Sequence, residues 1–192
     1  MGAGTSLSYS QNDYIVIMNN NSFIDCQCDN AGALAIISIC NVTMNNNSFF
    51  NSTSEYYAGH LLIVGGENLY ISGLQLMYSI AGDGGAFLLT DFQQVYIENL
   101  SIDSSISTIQ GGILIENVGY LLLKDSIFRN MSSLINAGFL YIFQSIIELL
   151  NCEISLVSAE SDGGAIYVQG GSSLFMENNQ FFQSFSGGSG VY

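Results

Sequence analysis

Residues 84–102 read GGAFLLTDFQQVYIENLSI, and residues 163–181 read GGAIYVQGGSSLFMENNQF. In both stretches two glycines precede a short apolar run, and a second apolar run ends at an asparagine, Asn99 or Asn178. Within the runs apolar residues alternate with a period of two, which is the pattern of a β-strand with one buried face. Each stretch therefore predicts short strands separated by turns.

The same pattern recurs along the chain at a nearly constant spacing. Small-residue pairs occur at Ala31-Gly32, Ala58-Gly59, Gly84-Gly85, Gly111-Gly112, Ala137-Gly138, Gly163-Gly164 and Gly187-Gly188. The asparagine position recurs in step with them, as Asn20, Asn46, Gly73, Asn99, Asp125, Asn151 and Asn178. Successive asparagine positions are 26 or 27 residues apart. A fixed period of this length indicates a solenoid in which each repeat forms one coil.

A repeat of this length accommodates three short strands and three turns. We therefore predict a single all-β domain over residues 1–192, a parallel β-helix of about seven coils and roughly 34 Å in length. Small inward residues such as Ser79 and Ser105 would let opposite walls of a coil approach closely. The asparagine position is expected to form a turn ladder whose side chains bond to one another: Asn20, Asn46, Asn99, Asp125, Asn151 and Asn178.

These motifs resemble the repeats of the pectin-lyase-like superfamily, above all the Gly-Gly-Ala-Ile and Phe-x-x-Asn type found in polymorphic outer-membrane and other surface proteins. The first motif is carried by Gly84-Gly85-Ala86-Phe87 and Gly163-Gly164-Ala165-Ile166, and the second is shortened to Phe-x-Asn at Phe49/Asn51 and Phe128/Asn130. The resemblance covers nearly the whole chain and implies a right-handed coil. It identifies a fold and not an activity.

Composition excludes several classes of protein. Sixteen acidic residues against two basic ones give a net charge of −14, which repels nucleic acid. The 48% apolar content excludes a disordered chain, and the absence of proline suits extensive strand pairing. The most apolar window, Leu134 to Leu150, follows the coil register, so no membrane span is expected.

The compartment is predicted from glycosylation sequons. Residues 1–13 carry no secretory signal, but Asn41, Asn51 and Asn130 are candidate N-glycosylation sites outside the ladder. They favour an extracellular or cell-surface glycoprotein. The sequence stops soon after Gly187-Gly188 without a polar cap, so we expect a piece of a longer protein or a unit that stacks end to end.

One corner of the predicted coil concentrates groups that could carry chemistry. Asp29, Glu55 and Asp83 precede successive small-residue pairs, and His60 follows close by. Their oxygens could hold Ca²⁺, and no other cofactor is expected. In the hydrolase branch of the resembled superfamily carboxylates act as acid and base, but the local motifs of that branch are missing here. The alternative is a set of solvated turn residues.

The basic and cysteine residues have structural interpretations. Asp103 and Arg129 are one repeat apart, and so are Glu98 and Lys124, so both pairs are expected to form ion pairs between neighbouring coils. None of the four cysteines stacks on another at the repeat spacing, and Cys26 and Cys28 are expected to pack as small apolar residues.

Outward positions of the predicted strands are unusually apolar. On the strands that end at the asparagine position they include Tyr70, Tyr96, Leu122 and Phe175. On the strands that follow the small-residue pairs the alternation assigns outward positions to Leu62, Leu88, Ile115, Tyr141 and Tyr167. Contiguous exposed apolar patches are typical of interaction surfaces.

Three functions remain open at this point. The first is a non-enzymatic structural or surface interaction module that packs against its own copies or neighbouring β-helix subunits, in a filament or sheath. The second is an adhesin that binds glycans on its tyrosine columns. The third is a polysaccharide hydrolase or lyase that uses Asp29, Glu55, Asp83 and His60.

Overall fold

A computed structural model describes residues 2–3, 5–8, 15–37 and 41–187, with side chains from residue 15 onward. The described chain is all-β and forms a parallel β-solenoid of about six turns, without a helix. The prediction of an all-β parallel β-helix is therefore confirmed, with about six turns in the described residues where about seven coils were predicted. Gly188 of the last small-residue pair and Cys40 lie outside the described residues.

Twenty-one strands make up the solenoid. In chain order they are β1 (Gly2–Ala3), β2 (Thr5–Ser8), β3 (Ile15–Asn19), β4 (Ser22–Ile24), β5 (Cys26–Cys28), β6 (Leu34–Ile37), β7 (Asn41–Asn45), β8 (Ser48–Ser54), β9 (Leu61–Ser72), β10 (Gln75–Asp83), β11 (Phe87–Glu98), β12 (Ser101–Gln110), β13 (Ile113–Glu116), β14 (Tyr120–Lys124), β15 (Ile127–Ser133), β16 (Leu140–Phe143), β17 (Ile146–Leu150), β18 (Glu153–Ala159), β19 (Ile166–Gln169), β20 (Ser173–Glu177) and β21 (Gln180–Ser186).

The strands pair in parallel within two sheets. The nine-stranded sheet, called the bent sheet below, contains β1, β4, β5, β8, β10, β12, β15, β18 and β21. The other twelve strands form the second sheet. In this sheet β9 and β11 are long strands that pair with each other along most of their length, and each pairs with two shorter strands of an adjacent coil, β9 with β6 and β7 and β11 with β13 and β14. Neighbouring strands are one repeat apart, as in the column Leu76, Ile102 and Phe128. The sequence period is thus the rise of one coil.

Columns of left-handed backbone turn the chain between strands. All seven residues of the asparagine position have φ between 50° and 66°. Asparagine, aspartate and glycine tolerate this conformation better than other residues, which explains why only these three types occupy the position. Among the described residues one side-chain bond links two members of the column, from Asn151 Nδ2 to Asp125 Oδ1 at 3.0 Å.

A buried ladder lies one residue after the asparagine position. Asn47 Oδ1 accepts a hydrogen bond from the Asn21 backbone N–H at 3.0 Å, and Ser126 Oγ accepts one from Leu100 N–H at 3.1 Å. Both acceptor side chains are buried. The side chains that satisfy buried turn amides are therefore those that follow the predicted ladder, because the left-handed residue itself points to solvent.

The glycine at the second position of each small-residue pair lets two walls of a coil approach each other closely. A Cβ on Gly85 would lie 2.5 Å from Ser105 Oγ and 2.9 Å from the Ile106 backbone. A Cβ on Gly59 would lie 2.8 Å from the Ser79 Cβ. Since Ser79 and Ser105 are buried, the predicted close approach of the two walls at these serines is confirmed.

A continuous apolar core runs through the middle coils, and inward residues of the end coils, such as Val16 and Leu174, are only partly buried. Phe49 and Phe128 are fully buried, and their rings pack against Phe23 and Phe139 at centroid distances of 4.6 and 4.4 Å. Burying each such side chain stabilises the fold by about 1.5–3 kcal/mol. The interior around these rings is thus filled by apolar side chains.

Candidate functional site

The strands that follow the small-residue pairs carry a covered column instead of an exposed stripe. Leu62, Leu88 and Tyr141 face outward but are only 6%, 5% and 3% exposed. They pack with alanines of the preceding turns, Ala31, Ala58 and Ala137. A Cβ on Gly84 would lie 3.2 Å from the Leu88 Cβ, so the turn backbone itself covers the strand. The prediction that these residues are exposed is wrong.

Ile115 does not belong to that column. The register pairs Leu88 with Leu114 and Leu89 with Ile115, and Ile115 is buried in the main core. The repeat between these strands is one residue shorter than an outward Ile115 requires. A shift of one residue moves a strand side chain to the opposite face. Leu114 takes the outward position, and Tyr167 stacks on Tyr141 at 5.4 Å.

The predicted acidic corner does not gather around His60. The imidazole is fully buried inside the coil, 6.0 Å from the Phe49 ring, and neither ring nitrogen has a hydrogen-bond partner among the described residues. Burial lowers the pKa of His60 to about 4. His60 is therefore a neutral core residue, because the position before β9 points inward.

The three carboxylates of the corner are also not consecutive in the turn column. Cys28 pairs with Ser54 and the Tyr56 N–H donates to the Asp29 carbonyl, so Asp29 and Glu55 are neighbours in one column. The Asp83 N–H donates to the Tyr56 carbonyl, which places Asp83 further along the turn than Glu55. Within the described ranges no group of three or more His, Cys, Asp and Glu side chains could hold a metal ion. The predicted Ca²⁺ site is thus not assembled from these residues, and His60 is too deeply buried to join the carboxylates.

Asp83 instead approaches a carboxylate that the sequence did not single out. Burial raises the pKa of Asp83, whose Oδ1 is buried without a partner among the described residues. Burial also raises the pKa of Glu116, and the charges of Asp83 and Asp91 raise it further. The two carboxylates lie beside the covered column, where the turns limit their contact with solvent.

The second sheet presents the predicted tyrosine columns to solvent. Tyr70, Tyr96 and Phe175 are exposed, and Leu122 is half-buried between them. Tyr70 Oη donates to Glu98 Oε1 at 2.7 Å, and the predicted pair of Lys124 Nζ with Glu98 Oε2 is present at 2.8 Å. A shallow hollow of about 120 Å³ lies among Tyr70, Tyr96, Glu98, Leu122 and Lys124.

Neighbouring side chains on this face are held by a second carboxylate. Tyr120 Oη donates to Glu148 Oε2 at 2.6 Å, and this bond raises the pKa of Tyr120 to about 12. The Tyr120 ring also packs edge-on against Tyr96 at 6.4 Å. The tyrosine face is therefore ordered by hydrogen bonds to acidic groups.

A wide concave surface lies on the bent sheet. The longer strands of this sheet bend at a left-handed residue, such as Asn51, Tyr78, Ser104 or Asn130, with φ between 52° and 61°. The bends align into a groove of about 460 Å³, called the bend groove, whose lining includes Asn51, Thr53, Tyr78, Ile80, Ser104 and Ile106. Asn130 and Ser132 continue it along the solenoid.

Apolar side chains around this groove are exposed to water. Tyr78, Ile80 and Ile106 are 51%, 49% and 43% exposed, and Phe50 packs edge-on against Tyr78 at 5.3 Å. We call the outer surface of the bent sheet the bend face; its exposed apolar residues include Phe50, Tyr78, Ile80, Ile106, Leu156 and Phe182. The sequence contained a signal for it: inward residues such as Phe49, Ser52 and Ser54 are spaced by three and then two, which a straight strand does not allow.

Acidic side chains hold the lining of the groove. Asn51 Nδ2 donates to Asp25 Oδ1 at 2.7 Å, and Asn130 Nδ2 donates to Asp103 Oδ1 at 2.8 Å. The predicted pair of Asp103 with Arg129 is wrong. The two residues are register partners, but Arg129 reaches across to Glu153 Oε1 at 2.8 Å, because Asp103 turns towards the bend.

The sequons and cysteines take different positions. Asn51 and Asn130 are exposed in the bend groove, whereas Asn41 lies on the second sheet and its Oδ1 accepts a hydrogen bond from Asn68. The described cysteines are free thiols. Cys26 and Cys152 are buried, but Cys28 is exposed, so the prediction that Cys28 packs inside the coil is wrong. Burial raises the pKa of Cys152 to about 11, so it is an unreactive core residue.

Comparisons with known proteins add no family. No family model matches the chain, and no curated protein or solved structure matches it. In the described part of the chain no helix is long and apolar enough to span a membrane.

Proposed function

We propose that this chain is a non-enzymatic structural interaction module that packs against a neighbouring protein subunit through its bend face. The observation that carries the proposal is the row of apolar side chains in water around the bend groove, with Tyr78, Ile80 and Ile106 at its centre. Apolar patches of this kind on a folded surface are typical of protein contacts.

The solenoid supports this role mechanically. Each coil is bonded to the next through parallel strands, and the interior is filled, so the bend face has a fixed shape. A rigid concave surface loses little conformational entropy when a partner binds. Lateral packing in a filament or sheath would use this face in place of the covered column of Leu62 and Leu88.

Net charge sets the conditions under which copies of the chain can meet. Each copy carries a charge of −14, so two copies repel one another at low salt. Salt screens exposed charges beyond about 8 Å at 0.15 M ionic strength, while apolar contact is retained. We therefore expect association of copies to strengthen as salt increases.

Sedimentation equilibrium tests the proposal. At 0.5 M NaCl the wild-type chain should associate reversibly, whereas the double variant Ile80→Asp/Ile106→Asp should stay monomeric. Ile146→Asp is the matched control, because Ile146 is equally exposed but lies on the second sheet. Association that Ile80→Asp/Ile106→Asp leaves intact, or that Ile146→Asp abolishes, contradicts the proposal.

Glycan binding is the second candidate, and the chemistry of the groove lining favours it. Amide and hydroxyl groups of Asn51, Ser104 and Asn130 alternate there with the Tyr78 ring, a combination that suits sugar hydroxyls and sugar rings. A glycan array with Tyr78→Ala and Tyr96→Ala distinguishes the groove from the tyrosine face. Loss of binding in only one variant identifies the surface.

The relation to the pectin-lyase-like superfamily and the location at the cell surface are proposals as well. Right-handed coiling is supported by the strong preference of crossovers between parallel strands for that hand, about 98% of cases. A polysaccharide hydrolase or lyase is the least supported interpretation, since His60 is enclosed in the core and Asp83 is displaced in register from Asp29 and Glu55.

A further inference from the structure

We infer that the bend groove binds an extended, basic and apolar segment of a different protein chain. This inference rests on the proposed role of the bend face as the contact surface and names the partner's chemistry. Three observations carry it: two carboxylates that hold the groove lining, an apolar stretch between them, and the lack of an unpaired cation in the described chain.

The carboxylates are Asp25 and Asp103. Asp103 Oδ1 accepts hydrogen bonds from two lining residues, Ser104 at 2.9 Å and Asn130 at 2.8 Å. Asp25 Oδ1 accepts one from Asn51 at 2.7 Å. In both residues the other carboxylate oxygen has no hydrogen bond to a described residue. Each group therefore retains an acceptor for a cationic donor from outside.

The chain offers no cation of its own for this position. Its only two Lys and Arg residues, Lys124 and Arg129, are both engaged in ion pairs, with Glu98 and Glu153. A second copy would bring a further charge of −14 to the groove. Charge complementarity therefore favours a different chain that carries Lys or Arg.

Spacing defines the segment that fits. Asp25, Asn51, Tyr78 and Ser104 follow one another in the left-handed column, so Asp25 and the neighbour of Ser104, Asp103, are three coils apart. At about 4.8 Å per coil this is roughly 14 Å, the length of four residues in an extended chain. Basic residues at i and i+4 would reach both carboxylates.

The residue midway between the two basic ones points into the apolar stretch. In an extended chain positions i, i+2 and i+4 share a face, so position i+2 lies over the coils of Asn51 and Tyr78, next to Ile80. An apolar side chain there would cover part of the surface that is now in water. The predicted core of the partner is Lys-x-Leu-x-Lys or its arginine equivalent.

Fluorescence anisotropy at 50 mM NaCl tests the inference with a labelled peptide whose core is Lys-Ser-Leu-Ser-Lys. We expect it to bind more tightly than peptides with Glu-Ser-Leu-Ser-Glu or Lys-Ser-Ser-Ser-Lys. Asp103→Asn keeps the shape of the groove and should weaken binding by up to about fivefold, the upper range for one exposed ion pair. Ile80→Ser should weaken it as well.

The matched control is Glu67→Gln, which removes one exposed charge from β9 on the second sheet. Equal weakening by Glu67→Gln and Asp103→Asn would show attraction to overall charge and overturn the inference. Absence of binding, or equal binding of Lys-Ser-Ser-Ser-Lys, would also overturn it. In those cases salt-dependent association of copies by sedimentation would still support the proposed function, so the two failures are distinguishable.

Discussion

Single buried residues limit the stability of this solenoid. His60 is enclosed in the core with two ring nitrogens that bond to no described residue. The hydroxyl groups of Ser79 and Ser105 are also buried without a hydrogen-bond partner among the described residues. Serine occupies these positions because the close approach to Gly59 and Gly85 requires small side chains. Such groups cost desolvation without a compensating hydrogen bond. The coil tolerates them because they are few within a large apolar interior.

His60 makes stability depend on pH. Its pKa falls from 6.5 to about 4 on folding, so the unfolded state binds more protons between these values. The stability that depends on a neutral His60 is therefore fully present above pH 6.5 and is lost as the pH falls towards 4. We expect urea denaturation to show a loss of about 2 kcal/mol between pH 7 and pH 5 from this residue.

The variant His60→Leu isolates that contribution. Asp83 and Glu116, whose pKa values are raised, act in the opposite direction in both proteins, so they cancel in the comparison. His60→Leu should lose less stability than the wild type between pH 7 and pH 5. Parallel curves for the two proteins would show that His60 is not a buried neutral residue.

Two glycines should respond to substitution in opposite ways. Gly85→Ala places a methyl group against Ser105 Oγ and the Ile106 backbone and should cost about 1–3 kcal/mol. Gly73→Asn should be neutral or stabilising, because Gly73 has φ 66° in a column where asparagine already occurs. The new Cβ would lie 2.4 Å from Asn46 Oδ1, the end of an exposed side chain that can move aside. Thermal denaturation of both variants checks this; equal destabilisation would contradict the account.

At the scale of elements, turns are stabilised by side chains that bond between coils. Ser126 Oγ accepts from Leu100 N–H and donates to the Lys124 carbonyl at 2.7 Å. Ser145 Oγ plays the same part at another turn, where it accepts from Val118 N–H at 2.9 Å. These bonds satisfy backbone amides that the strands cannot pair.

Two identical substitutions separate such a bonded serine from an unbonded one. Ser126→Ala leaves the buried Leu100 N–H without its acceptor and should cost about 1–3 kcal/mol. Ser105→Ala removes a buried hydroxyl that has no partner in the described chain, so it should be neutral or stabilising. The free energies of unfolding in urea provide the measurement. A larger cost for Ser105→Ala than for Ser126→Ala would refute the assignment of the buried ladder.

The parallel coils could be predicted from the sequence repeat, whereas the exposure of side chains on the outer surface could be predicted less well. The spacing of the asparagine position is enough to give parallel coils, since each coil must repeat its hydrogen bonds. Exposure could not be derived in the same way: Leu88 alternates outward, but the backbone of the preceding turn covers it. Ile115 lies on the opposite face from the predicted one, because the length of the repeat varies by one residue along the chain. The bend groove depends on a left-handed residue inside a strand, which an alternation pattern treats as straight.

At the scale of the whole molecule, the solenoid combines a strongly acidic surface with one concave apolar face. The charge of −14 opposes association with acidic partners and with other copies at low salt, while the bend face favours contact with an apolar one. A partner that supplies cations would satisfy both features. The central claim is therefore that the bend face is the contact surface of the protein in its natural assembly.

Electron microscopy of the native assembly, at a resolution that shows side-chain contacts, tests that claim most directly. The account predicts that Tyr78, Ile80 and Ile106 are buried against a neighbouring chain. An ordered assembly in which these three side chains face water, with its contacts made elsewhere on the solenoid, would contradict it.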